Sequence, residues 1–237
     1  MQTGSFEPAL KFKTEHLNKK WNSLCKDVLN QFRLPPNLRL ICCFDDENPK
    51  ELHLHGDVCG FHAPVAGARL LPPWVTPLLR KGGKFVFDNL IYIPGTQYST
   101  QMVSFVLIFA HELQHFIQYD QNRKVYEANV LLLHEHLTSF EQDIQTKVWE
   151  IPYDLEAMIV SRHVAEKVLG RTAVATFVEA ETNVSAGNKK ELWEFYRYPI
   201  FAETRPLVEQ YKPQLLLLKQ RRHKSFEVDF NLSEWWR

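Results

Sequence analysis

Phe105-Val106-Leu107-Ile108-Phe109-Ala110-His111-Glu112-Leu113-Gln114-His115-Phe116-Ile117 is the segment on which the reading of this chain turns. Its residues are apolar almost all round, the pattern of a helix inside a domain rather than on its surface. The run predicts a helix over Thr100 to Tyr119. Residues four apart on a helix share a face, so the imidazoles of His111 and His115 can reach one ion. Glu112 is rotated about 100° from His111 by the helix period, so it flanks that ion and is free to take a proton from water the ion activates. Chance alone places two histidines and a glutamate at this spacing in about three of every hundred such chains, so the surroundings must carry weight. A glutamate between two histidines in an apolar helix is costly to bury without partners, and a metal ion supplies the reason for it. The bland alternative is a polar stripe at a helix–helix contact.

A catalytic zinc takes three protein ligands and leaves a position for water, so a third donor must come from elsewhere. The best source is Ile151-Pro152-Tyr153-Asp154-Leu155-Glu156-Ala157, which opens a helix predicted over Tyr153 to Leu169 and ending at Gly170. On a helical wheel Asp154 falls with Ala157, Met158, Ser161, Ala165 and Val168, the small and apolar face. Glu156 falls with His163, Glu166 and Lys167, the polar face. A ligand must point inward, so Asp154 is the first choice and Glu156 the second. An acid in a first helical turn is also favoured by the backbone dipole alone. The other histidines remain alternatives: His134 and His136 diverge on a helix, His163 shares the polar face, His53 and His55 share one strand face, and His62 follows in a loop.

Working outward, a helix is expected over Thr14 to Phe32, with Leu17, Trp21, Leu24, Val28 and Leu29 at helical spacing and Pro35-Pro36 as its stop. Three strand-like runs follow, Leu38 to Phe44, Leu52 to Phe61 and Lys84 to Ile93, the last interrupted at Asp88-Asn89. The remainder reads as helices: Val125 to Val148, Thr172 to Thr182, Lys189 to Tyr198 and Glu203 to Arg221, bent at Pro213. The fold class is α+β, a small mixed or antiparallel sheet packed on the His-Glu-Leu-Gln-His helix and followed by a helical C-terminal half. One domain over 1–237 is expected, with a core of about 38–170 and a helical extension over 171–237.

At this point the chain resembles the zincin superfamily of metallopeptidases, and within it the compact gluzincin-like members. The resemblance rests on Lys84 to Ile93 leading into His111-Glu112-Leu113-Gln114-His115, then a later helix opening with Asp154-Leu155-Glu156-Ala157, and it covers roughly Leu38 to Gly170. It implies zinc bound by His111 and His115, Glu112 as general base, and a carboxylate third ligand. The family's ligand is usually Glu at the position Asp154 occupies here, and an acid common four residues later is Met158 in this chain. The implied reaction is hydrolysis of a peptide or amide bond in a peptide or protein substrate. By analogy the substrate lies along Lys84 to Ile93 as an edge strand. The oxyanion donor is drawn from Tyr153, Tyr126, His163 and Arg162 by residue type.

Composition excludes several other classes. The 28 basic residues balance 28 acidic ones, so the chain lacks the basic excess a nucleic-acid binder uses to displace counterions. The run Gln220-Arg221-Arg222-His223-Lys224 reads as the solvated end of a helix. Met1 to Lys13 lacks the apolar core of a secretion signal, and Met102 to Ala110 is too short to cross a bilayer. Cys25, Cys42, Cys43 and Cys59 form no metal-binding or disulfide framework and read as reduced thiols. The expectation is a cytoplasmic protein with no membrane or nucleic-acid partner. Two rival readings stand beside the enzyme: a zincin-fold regulator with a weak or inactive site, and a helical interaction protein without metal.

Overall fold

A computed structural model describes residues 9–12, 19–34, 40–45, 61–64, 80–81, 84–85, 89–94, 101–121, 123, 126, 152–186, 190, 193–194 and 196–197. In chain order these form β1 (Ala9–Phe12), α1 (Lys19–Leu29), β2 (Leu40–Asp45), β3 (Phe61–Pro64), β4 (Arg80–Lys81), β5 (Lys84–Phe85), β6 (Asn89–Pro94), α2 (Met102–Gln121), α3 (Pro152–Leu169) and α4 (Arg171–Val184). Helix predominates. The expected helices at 125–148 and 203–221, and the histidines His53, His55, His134 and His136, lie outside the described residues.

The strands β1, β2, β6 and β3 lie side by side in that order, and β4 pairs with β5 as a separate ribbon. β1 runs parallel to β2 and β2 parallel to β6, whereas β3 is antiparallel to β6 with His62 opposite Ile91. The expected strand over Lys84 to Ile93 is therefore two elements, β5 and β6, on different sheets. It is also not an edge: β6 is flanked on both sides, and the edges among the described strands are β1 and β3. The composition of β6 explains why. Leu90, Ile91, Tyr92 and Ile93 are all fully buried, and a strand apolar on both faces belongs in a sheet interior. His62, expected in a loop, is part of β3.

Ile91 and Ile93 of β6, with Leu40 and Cys42 of β2, pack into one core with Leu24, Cys25 and Val28 of α1 and the apolar residues of α2. Phe105, Phe109 and Phe116 are buried in α2, the first two stacked with centroids 5.7 Å apart. Each such side chain contributes about 2–3 kcal/mol by burial, so α2 is held from several sides at once. It packs against α1, β3, β6, α3 and α4. Helix α3 lies along it and carries fully buried Ala157 and Ala165, whose small side chains let neighbouring backbones approach. Trp193 and Tyr196, from the segment expected as a helix over Lys189 to Tyr198, close the same core.

Gly170 joins α3 to α4. Its N–H bonds Glu166 O at 3.0 Å and its carbonyl accepts Val174 N–H at 3.2 Å, so one residue ends a helix and starts the next. That junction sets φ at 89° and ψ at 140°, a conformation that is nearly exclusive to glycine. Cys25 and Cys42 are buried and unbridged, and burial pushes the Cys25 thiol up to about 12. Among the described residues, no helix is long and apolar enough to cross a membrane.

Candidate metal centre

His111 and His115 sit in the middle of α2, where the helix is least able to fray and is packed on several sides. Their rings meet edge to face with centroids 4.6 Å apart, and the two Nε2 atoms are 3.0 Å apart. From the first turn of α3, Asp154 places Oδ1 3.9 Å from His111 Nε2 and 3.7 Å from His115 Nε2. Donors bound about 2.05 Å from a tetrahedral ion stand about 3.3 Å apart. The triangle of His111, His115 and Asp154 thus has the dimensions of a divalent ion's coordination shell, and these three residues form a group able to hold a metal ion. The side chains of His111 and His115 retain 19% and 14% exposure, so neither ring is fully closed off from solvent. Three protein donors leave one tetrahedral position unfilled by the chain.

Titratable side chains crowd this site and shift one another. Burial drives the His111 imidazole well below its usual range, and charge on His115 lowers it further. Burial also opposes charge on His115, but the Asp154 carboxylate outweighs it and, with Glu112 and Gln118, raises that histidine to about 9. A charge on one ring thus opposes a charge on the other. Glu112 is buried beside them. Burial raises its carboxyl to about 7, with Asp154 adding to the rise, while His115 and the His62 backbone N–H pull it down.

Around the triangle lies a shell of polar side chains. Gln118, one turn after His115, has its Oε1 2.8 Å from His115 Nδ1, and its Nε2 donates to Tyr153 O at 3.0 Å and to Glu156 Oε2 at 2.8 Å. This overturns the outward placement expected for Glu156. The wheel grouped it with the charged residues of α3, yet its carboxylate turns toward α2, where Gln118 and Gln114 bond it. Burial raises its pKa, and those bonds and His115 oppose the rise. Asp154, not Glu156, completes the triangle.

On the sheet side, His62 Nε2 lies 3.0 Å from Asn89 Oδ1 and its Nδ1 3.0 Å from the Tyr126 hydroxyl. Burial, chiefly, holds His62 down at about 3, so the ring is neutral. The Nε2–H therefore donates to the Asn89 oxygen, and Nδ1 accepts from the Tyr126 hydroxyl. Burial raises the Tyr126 phenol far above its usual range, and the nearby charges of Glu112 and Asp154 add to it. Of the four oxyanion candidates, Tyr126 stands by the triangle and packs against Tyr153 at 6.4 Å. Arg162 is committed to Glu166 and the Tyr196 carbonyl, and His163 is exposed.

Gln118, Asn89 and the site role of His62 escaped the sequence reading. One signal was available for Gln118: a long polar residue three positions after His115, on a helix with few others. No protein-family model, curated protein or solved structure matches this chain.

Proposed function

We propose that this protein is a zinc-dependent metallopeptidase of the zincin type, hydrolysing peptide or amide bonds with Glu112 as general base. The observation that carries the reading is the convergence of His111 Nε2, His115 Nε2 and Asp154 Oδ1, with Glu112 buried alongside. Two imidazole nitrogens and one carboxylate oxygen suit zinc. Zinc, when bound, supplies Lewis acidity that acidifies water and polarises a carbonyl.

The chain's own residues do the rest. Glu112 takes the proton of the attacking water and passes it to the leaving amine. A cation bound at the triangle would bring that carboxyl down from its raised metal-free value, leaving Glu112 ionised and able to take the proton. The Tyr126 hydroxyl gives its single proton to His62 Nδ1, so it serves charge developing on the carbonyl oxygen only by turning from that nitrogen. β3, an edge among the described strands and beside α2, replaces Lys84 to Ile93 as the strand along which an extended substrate adds itself.

A second reading, a regulatory or binding module with a structural metal, draws on one observation: the Glu112 carboxylate already accepts the His62 N–H. The Glu112→Gln variant separates the two. It is expected to keep one equivalent of zinc, measured by elemental analysis, while cleavage of a peptide mixture falls about a thousandfold. Zinc-loaded wild-type protein that cleaves no better than this variant sinks the enzyme reading, and wild-type protein that retains no zinc sinks both.

A further inference from the structure

We infer that Gln118 is a positioning residue for this centre: its amide fixes which nitrogen of His115 faces the ion and yokes that ring to the opening turn of α3. The inference rests on the zinc-site reading above.

The argument is one of donors and acceptors. Gln118 is buried, so both ends of its amide must be paired. One end lies between the Tyr153 carbonyl oxygen and a Glu156 carboxylate oxygen, at 3.0 and 2.8 Å. Both partners are acceptors, so that end is the NH2 group. The other end is therefore the carbonyl oxygen, and it stands 2.8 Å from His115 Nδ1. An oxygen there demands a proton on Nδ1, and a neutral imidazole so protonated presents its Nε2 lone pair toward His111 and Asp154. Glu156 thereby acts on the metal site at one remove, by dictating which way round the amide sits. A ligating imidazole whose second nitrogen is so held is both oriented and made more basic. The same amide ties α2 to the residues on either side of Asp154, so the third ligand and the second histidine are set by one side chain.

The test uses the full-length protein and zinc alone, with affinity read by competition against a chelator. Gln118→Leu keeps bulk but accepts nothing from Nδ1, and is expected to bind zinc about 10–100-fold more weakly than wild type. The exchange variant Gln118→Glu with Glu156→Gln restores two of the three bonds, because residue 118 still accepts from His115 and residue 156 now donates to it, while the Tyr153 carbonyl loses its donor. Its affinity is expected to recover part of the loss, standing at least about threefold above Gln118→Leu. In zinc-loaded protein, an exchange-protected His115 Nδ1–H resonance is expected in wild type and in the exchange variant and absent from Gln118→Leu. A merely structural role moves neither that resonance nor the recovery. Equal affinity in Gln118→Leu and wild type overturns the inference and leaves the zinc site standing, as does an exchange variant that is folded but as weak as Gln118→Leu. Wild-type protein that takes up no zinc overturns the functional reading and this inference together.

Discussion

At the scale of the residue, His62 shows how a buried imidazole writes itself into the pH dependence of stability. In the folded chain it stays neutral down to about 3, chiefly because it is buried, whereas in an unfolded chain it takes a proton near 6.5. Between those values the unfolded state holds the extra proton, so stability rises with pH and falls as the medium is acidified. From pH 7 to pH 5 this one group removes about 2 kcal/mol. Chemical denaturation of metal-free protein at the two pH values should show that share of the slope missing from His62→Gln, even though the variant is less stable at neutral pH. An identical slope in both proteins would place the proton elsewhere.

The same residues mark how far the sequence can be read. His111 and His115 were legible because the helix period alone puts residues four apart on one face. Asp154 was legible because it lies with Ala157, Met158 and Ala165, all buried. Glu156 was not, because a wheel sorts residues by type, and an acid among charged neighbours is assigned to water. Its actual partner is Gln118, which lies 38 positions earlier, and no local pattern contains that pairing. His62 was hidden for the same reason, since both its partners, Asn89 and Tyr126, are remote in sequence.

Elements follow a similar division. The helices came out near their expected bounds because their periodicity is local: α2 runs Met102–Gln121 against an expected Thr100 to Tyr119, and α3 runs Pro152–Leu169 against Tyr153 to Leu169. The strands did not. β1 is formed by Ala9–Phe12 and owes its existence to parallel pairing with β2, a contact whose partner a four-residue run cannot announce. The interior position of β6 likewise depends on β2 and β3 arriving on either side. Gly170, by contrast, was expected as a helix end from composition, and the structure gives it a testable cost. Nothing lies within 4 Å of where a Cβ would stand, so Gly170→Ala meets no clash and pays only for φ at 89°. The variant should lose about 1–3 kcal/mol of unfolding free energy with no change in zinc affinity, since Gly170 is four turns of helix beyond Asp154. A loss under about 0.5 kcal/mol would mean that the junction relaxes into an ordinary backbone conformation.

For the molecule as a whole, the candidate metal centre joins two helices that packing and the Gln118 hydrogen bonds already hold together. Asp154 comes from α3 and both histidines from α2, so an ion at the triangle is a crosslink between them. An unfolded chain has no such triangle and binds zinc far more weakly. Linkage then requires zinc to stabilise the fold, by about 4 kcal/mol when free ion stands a thousandfold above its dissociation constant. For a chain of 237 residues each kcal/mol moves the melting temperature by about 2–4 °C, so saturating zinc should raise it by roughly 10 °C over chelator-treated protein. The ligand assignment predicts how variants divide. Asp154→Ala should lose most of the zinc-induced rise. Glu156→Ala should keep the greater part, because Gln118 remains held by the Tyr153 carbonyl. Scanning calorimetry with and without zinc reads both. The opposite ordering would hand the third position to Glu156, and no rise in wild-type protein would mean that His111, His115 and Asp154 gather for reasons other than a metal.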